Sequence, residues 1–221
     1  MRPILYATGT YNYKLAKWLE RKLKLLSINE YTIIDAFDFA DELRNLSVNE
    51  DDTLVSYDVT ALFTNVPLDE TINILVNKAF TDDWFNKTYG LNLQQDQLVK
   101  LLEIATTNQL FQFDGQLYEQ TDGVATGSPL GHLLANVFMC HHEQKLKRDG
   151  LMPHLYRRYV DDPLARMLNN DAANMFLTVL NGLHVRPSLT FTMELPVDDR
   201  FPFISIEIIK NGKKLETQVY G

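Results

Sequence analysis

Three aspartates stand where metal-assisted chemistry is within reach of a chain like this. Asp58 directly follows the apolar, β-branched stretch Thr53 to Tyr57 (TLVSY), which reads as a buried strand. Asp161 and Asp162 are adjacent, between two short apolar strands, Leu155 to Val160 and Leu164 to Met167. Neighbouring Asp residues in a tight turn aim their side chains in different directions from one spot. A third Asp from an adjoining strand completes a cluster of hard oxygens suited to Mg²⁺. Carboxylates so close repel one another and raise each other's pKa unless a cation neutralises them. A pair of metal ions about 3.5–4 Å apart is the usual arrangement for in-line phosphoryl transfer to a hydroxyl. Each residue alone has an ordinary structural reading. An Asp pair in a turn is commonly a solvated loop, and an Asp at a strand end is commonly a turn former or a helix cap. The combination is what points to chemistry.

The elements that must position these residues alternate between helix and strand. Tyr11 to Leu26 spaces Leu15, Leu19, Leu23 and Leu26 as an amphipathic helix, with Lys14, Lys17, Arg21, Lys22 and Lys24 on its other positions. That basic face suits a phosphate backbone or simply water. Asp35 to Leu46 reads as a short acidic helix. Pro67 opens a helix that carries Ile72, Leu75, Val76 and Ala79 on one face, and Asp96 to Leu110 forms another. Leu110 to Tyr118 alternates around Asp114-Gly115, a two-residue hairpin signal. Gly123 to Ser128 is a loop, and Pro129 begins a long helix reaching about Gly150. A helix at Asp171 to Asn181, strands at Leu189 to Glu194 and Phe203 to Ile209, and a turn at Asn211-Gly212 complete the chain. No repeat, low-complexity linker or domain boundary interrupts it. The mixture implies an α+β fold in which an antiparallel sheet is backed by helices.

Composition excludes several classes. The 221 residues are 45% hydrophobic and 23% charged, enough to build a core and too ordered in kind for wholesale disorder. One cysteine rules out a disulfide framework. Cys140-His141-His142 is a poor metal site, because three consecutive residues of a helix cannot face one ion. No signal peptide or membrane span is visible, so an intracellular protein without a membrane partner is expected. The abrupt start at Met1-Arg2-Pro3 and end at Val219-Tyr220-Gly221 suggest a piece of a longer protein.

Motifs around the aspartates sharpen the picture. Tyr159-Val160-Asp161-Asp162 resembles the YxDD hairpin of reverse transcriptases. Ser56 to Phe63 (SYDVTALF) resembles their first palm motif, and Gly123 to Asn136 (GVATGSPLGHLLAN) their loop-helix motif, in the family's order. The words ALFTNVPLDETI, YEQTDGVATGSPLG, FTMEL, FPFISIEI and NGKKLETQVY, with RPI and GTYNYKLAKWL at the start, are similar to the reverse transcriptases of Penelope-like retroelements.

The resemblance covers essentially the whole chain. It implies a right-hand polymerase palm with a partial fingers module, residues 1–52 being partial fingers and 53–221 the palm with inserted fingers elements. It further implies RNA-directed DNA synthesis, with an RNA template, a DNA primer, deoxynucleoside triphosphates and two Mg²⁺ ions, or Mn²⁺ in their place. Asp58, Asp161 and Asp162 would be the catalytic metal ligands, joined by the Val59 carbonyl. Phe63 would be the steric gate that excludes a 2′-OH, and Arg2 would meet the triphosphate, where a guanidinium fork suits phosphate oxygens. Gly127, Ser128, Pro129 and Tyr159 would lie near template and primer. A nuclear location follows if the chain belongs to a eukaryotic element.

The chain departs from the family at Pro163, His132, Thr126 and Ser205. A palm that binds nucleic acid or a partner without catalysis is therefore an alternative, and a metal-dependent phosphohydrolase a more distant one.

The formal net charge of −8 argues at first against a nucleic-acid partner. Its distribution reverses that. Between Asp35 and Asp83 stand 12 acidic and two basic residues, a local −10 that leaves the rest of the chain at +2. Weak, strongly salt-dependent binding of nucleic acid is expected from this pattern.

Overall fold

The computed structural model describes residues 12–107, 110–113, 116–120, 123–125, 127–185 and 189–219. In chain order the helices are α1 (Tyr13–Leu23), α2 (Ala36–Arg44), α3 (Leu62–Asn65), α4 (Leu68–Phe80), α5 (Trp84–Tyr89), α6 (Gln95–Thr106), α7 (Pro129–Arg148) and α8 (Asn170–Asn181). The strands are β1 (Thr53–Thr60), β2 (Leu110–Phe113), β3 (Gln116–Glu119), β4 (Leu155–Tyr159), β5 (Asp162–Met167), β6 (Thr190–Glu194), β7 (Arg200–Phe203), β8 (Ile206–Asn211) and β9 (Lys214–Val219). The α+β class expected from the sequence is what forms, with antiparallel sheets and packed helices. The described residues divide into two compact units, one within Met1–Asn29 and Ala61–Lys145 and the other within Glu30–Thr60 and Leu146–Gly221.

The second unit is built on a four-stranded sheet in the order β4-β5-β1-β6, all pairs antiparallel. Strand alternation sorts its residues onto two faces. One face carries Val55, Tyr57, Val59, Ala165, Tyr156 and Phe191, all buried. Helix α8 covers it: the Tyr57 hydroxyl donates to the Ala173 carbonyl at 3.1 Å, and the Tyr57 and Phe176 rings meet edge to face with centroids 5.5 Å apart. Asn169 starts α8 by accepting the Ala172 N–H on its side chain, the usual N-cap bond.

The opposite face is divided along its length. Leu54, Leu155 and Leu164 are buried in one core with Phe39 and Leu43 of α2 and with Phe201, Phe203, Ile206, Ile208 and Leu215 of the small β7-β8-β9 sheet. Farther along the same face the residues become polar: Asp58, Thr60, Asp162, Tyr159 and Thr192. Arg157 ties β4 to α2 through an ion pair with Glu42, with Nε to Oε2 at 3.0 Å.

In the first unit α1 and α6 pack together, as do α4 and α6. The buried side of α1 consists of Ala16, Leu19 and Leu23, and Asn12 donates from Nδ2 to the Ala105 carbonyl at 3.4 Å. The segment after β1 turns at Ala61, whose φ is +53°, into the single-turn helix α3.

Several local expectations change. Strand β1 runs to Thr60, so Asp58 and Val59 lie inside the strand and do not follow it. Pairing with β6 supplies the partners that extend it, which short-range patterning does not reveal. Helix α6 stops at Thr106, and residues from Leu110 are strand. The Asp114-Gly115 turn lies outside the described residues. The expected strand Phe203 to Ile209 is broken by a turn at Ile204-Ser205, where Ile204 has a φ of +58°, and becomes the β7-β8 hairpin. Ser205 is an exposed turn residue there. The turn expected at Asn211-Gly212 sits at Gly212-Lys213, because Asn211 pairs with Lys214.

Gly123 shows why the loop before α7 contains glycine. Its φ is +72°, and a Cβ there would stand 2.4 Å from the Phe63 carbonyl oxygen and 2.6 Å from the Thr64 Cα. The Val124 N–H donates to that same Phe63 carbonyl at 2.7 Å. Gly123→Ala is therefore expected to combine a left-handed backbone penalty with a backbone collision, lowering stability by about 2 kcal/mol or more in urea unfolding. A change smaller than about 0.5 kcal/mol would contradict this close approach.

Candidate active site

Strands β1 and β5 are paired from Thr53↔Met167 to Ser56↔Leu164. Continuing this register by two residues sets Asp58 opposite Asp162. The Val59 N–H confirms it by donating to the Asp161 carbonyl at 3.0 Å. Alternation of closely and widely spaced bonds makes Asp58 and Asp162 a non-hydrogen-bonded pair, in which opposing side chains on one face come closest. Two carboxylates are thus set side by side by backbone pairing alone. Glu194 of β6, opposite Ser56, lies on the same face.

Asp161 belongs to the turn between β4 and β5. Tyr159 pairs with Asp162, so the loop is the two residues Val160 and Asp161. Val160 has a φ of +54°, uncommon for a β-branched side chain and a position where glycine is the usual choice. Arg158 helps hold it. That residue is fully buried, and its guanidinium donates to the Val160 carbonyl at 2.8 Å. Its own backbone is clamped on both sides: its N–H donates to Tyr31 and its carbonyl accepts from Ile33, each at 2.8 Å.

Pro163 follows. Its place in the register is opposite Tyr57, where the N–H of a β5 residue would serve β1, and proline has none. One ladder bond is therefore missing immediately beside the aspartates. The bond from Val59 to the Asp161 carbonyl re-joins the strands one step farther on.

Electrostatics register the crowding. The Asp162 carboxyl is pushed from 3.8 up to about 6, first by burial and then by Asp161, Asp58 and Glu194 in turn. As their side chains stand, no group of three His, Cys, Asp or Glu among the described residues is arranged to hold a metal ion. The donor set itself, two hard carboxylates on neighbouring strands and a third in the adjoining turn, suits a hard divalent cation.

The remaining residues singled out in the sequence fall as follows. Tyr159 is 39% exposed and shares the sheet face of Asp58 and Asp162. Val59 is buried. In the first unit, Phe63 is buried and meets the His132 ring edge to face, with centroids 5.0 Å apart. A Cβ on Gly131 would stand 3.8 Å from the Phe63 ring and 2.5 Å from the Ala125 carbonyl oxygen, so the helix after the loop also approaches through a glycine. Gly127 is in the turn before α7, and Pro129 is its first residue. Ser128 is buried, its hydroxyl accepting from the Leu130 N–H at 3.3 Å. Arg2 and Thr126 lie outside the described residues.

Sequence reasoning passed over Glu194 and Arg158. Glu194 is marked only by the pairing of β6 with β1, which joins residues far apart in the chain. Arg158 is marked only by its burial, since an arginine before a YxDD tetrad otherwise looks like a surface cation.

No protein-family model matches the sequence, and no curated protein does. Solved structures match its fold. Telomerase from Candida albicans, in complex with a TWJ fragment of telomeric RNA, superposes with a TM-score of 0.66 at 13% identity, over 95% of this chain and 39% of that one. Telomerase from Candida tropicalis, truncated from its C-terminal domain, gives 0.67 at 13% over 97% and 46%. The RNA-dependent RNA polymerase of BmCPV at elongation state gives 0.55 at 12% over 90% and 19%. The chain thus has the α+β fold of reverse-transcriptase-like nucleic-acid polymerases, with palm and fingers elements. It spans less than half the length of the telomerase chains it resembles. Among the described residues no helix is long and apolar enough to cross a membrane.

The raised Asp162 pKa has a definite sign for stability. A carboxyl that titrates at 3.8 unfolded and about 6 folded binds more protons in the native state between those values. Stability therefore falls as pH rises through that window. Asp162→Asn, which removes the charge, is expected to raise stability at about pH 8 by on the order of 1 kcal/mol after allowance for solvent screening of a half-exposed group. The gain should vanish below about pH 3, under both pKa values, where the wild-type carboxyl is protonated in both states. Urea midpoints at the two pH values check this, and a pH-independent gain would contradict it.

Proposed function

We propose that this chain is the catalytic palm region of an RNA-directed DNA polymerase, similar to those of Penelope-like retroelements, that transfers nucleotides to a primer 3′ hydroxyl. The observation that carries the reading is the placement of Asp58 opposite Asp162, with Asp161 in a two-residue turn hung on Val59. Polymerase folds of the neighbours support it, and so does the order of the three motifs. On this reading residues 1–52 are partial fingers and 53–221 the palm with inserted fingers elements.

Asp58, Asp161 and Asp162, with the Val59 carbonyl, are the groups that would hold two Mg²⁺ ions, which when bound supply an activated primer hydroxyl and offset charge on the phosphate. The protein's own part is positional. Pairing of β1 with β5 fixes two carboxylates on one face, and the Arg158 bond to Val160 fixes the turn that presents the third. The Val59 peptide is directed toward the β5 side by the ladder, so its carbonyl faces the same hairpin.

Phe63 is the proposed sugar reader. Its ring meets the His132 ring edge to face, and a rigid ring discriminates by collision where a mobile one yields. Arg2 is proposed for the triphosphate, and Gly127, Ser128, Pro129 and Tyr159 for the template–primer surroundings. The expected partners are an RNA template, a DNA primer and deoxynucleoside triphosphates, in the nucleus if the element is eukaryotic.

A second reading, a palm that binds nucleic acid without polymerising, draws on the ladder bond missing at Pro163 and on carboxylates not yet arranged to hold a metal. Primer extension on a poly(rA) template with Mg²⁺ or Mn²⁺ separates the two. Incorporation by the wild type that Asp161→Asn abolishes supports the polymerase, and incorporation indifferent to Asp161→Asn sinks the assigned chemistry. Absence of incorporation beside retained template–primer binding selects the silent palm. In an active enzyme, Phe63→Ala is expected to raise ribonucleotide use relative to deoxynucleotide by about tenfold or more, as the loss of a clash worth roughly 1.4 kcal/mol or more.

A further inference from the structure

We infer that the outer face of α1 is a docking strip for the sugar–phosphate backbone of nucleic acid, an inference that rests on the polymerase reading for its biological sense but not for its test. Lys14, Lys17, Arg21 and Lys24 are all exposed. Their spacing of three, four and three residues puts them within an arc of about 80° at 3.6 residues per turn. Lys24 continues the helical path beyond Leu23, with φ −49° and ψ −41°. Ala16, Leu19 and Leu23, which are buried, lie on the opposite side of the helix. None of the four cations is in an ion pair with a described residue.

A merely solvated helix face usually intersperses signs, because opposite charges three or four residues apart attract. Among the four strip residues every such pair is like-charged: Lys14 with Lys17, Lys17 with Arg21, and Arg21 with Lys24. Each costs about 0.2–0.5 kcal/mol in an isolated helix. Glu20, the single acid of the helix, borders the arc, three residues after Lys17 and four before Lys24, and is in an ion pair with neither. Lys22 is turned to another use, its ammonium 3.9 Å from the centroid of the Tyr89 ring. The strip is thus a row of four cations bordered by a single carboxylate, Glu20, in a protein of net charge −8.

The form of the strip selects its partner. The apolar side of α1 is already buried, so the helix has nothing to insert into a lipid surface. From Lys14 to Lys24 the helix advances about 15 Å. One strand of a duplex places a phosphate about every 3.4 Å of axis, so a row of about four phosphates matches the row of four cations.

The test measures binding of a labelled RNA·DNA duplex and a single-stranded RNA by fluorescence anisotropy over a range of salt. It compares the wild type with Lys14→Gln/Lys17→Gln/Arg21→Gln/Lys24→Gln. A control of equal charge change carries Lys145→Gln/Arg148→Gln/Lys213→Gln/Lys214→Gln, all at exposed positions. The slope of log affinity against log salt is expected to become shallower by about 3.6 for the duplex and about 2.8 for the single strand in the strip variant. The loss should be alike for unrelated sequences and small in the control. Matching circular dichroism and thermal melting establish that both variants fold.

An unchanged slope in the strip variant, an equal change in the control, or no binding by the wild type would overturn the inference. So would an effect confined to self-association in sedimentation, which would point to an acidic protein surface as the partner. Extension activity is read separately. Extension without a slope change removes the strip and leaves the polymerase; a slope change without extension does the reverse.

Discussion

Two like charges set opposite each other on neighbouring strands are a cost that folding has to carry, and much of the second unit is organised around carrying it. Asp58 and Asp162 face one another because β1 and β5 are in register, and Asp161 joins them because the intervening turn has only two residues. None of the three can move away without breaking ladder bonds. Burial first, and the neighbouring carboxylates after it, raise the Asp162 pKa, and offsetting that cost falls to the apolar burial on the remainder of the sheet. A stable protein without a use for this arrangement would gain by changing one aspartate to asparagine.

That burial is arranged so that the polar end of one sheet face stays open. Helix α8 packs on the far face at Tyr57 and Tyr156, whereas α2 and the small sheet cover the near face over Leu54, Leu155 and Leu164. Rigid support therefore reaches the carboxylates from behind and from one side. Arg158 completes the support from below. A fully buried guanidinium is expensive to desolvate unless its donors are used, and one of them is used to hold the carbonyl of a valine in a left-handed turn. In the first unit, glycine does the equivalent work by subtraction. At Gly123 the missing Cβ lets the loop approach the Phe63 segment, and at Gly131 it lets α7 approach the Ala125 carbonyl, to distances any other residue would forbid.

The motifs were readable because each is local. YVDD announces a turn between two apolar runs, GSPLG announces a loop entering a helix, and TLVSYD announces a strand near a carboxylate. Helices with a clean apolar stripe, such as α4 and α8, were legible for the same reason. Misplaced boundaries share one cause. Strand β1 extends through Asp58 to Thr60 because β6 pairs with it, and the Phe203 to Ile209 stretch breaks at Ile204 because β7 and β8 pair with each other. Local patterning cannot see a partner strand. Glu194 stayed hidden for that reason, and Arg158 because burial is a property of the packed state.

By itself the sequence determined the residue types available for chemistry, their order and the elements that carry them, since these depend on side-chain chemistry and on periodicities of 3.6 and 2. It also determined that acidic charge is concentrated in one window and basic charge in the flanks. Only the tertiary structure decided which carboxylates meet, which side of α1 is left to solvent, and that Pro163 removes a bond next to the site. Those outcomes depend on strand register and on which faces bury one another, and both are set by contacts between residues far apart in the chain.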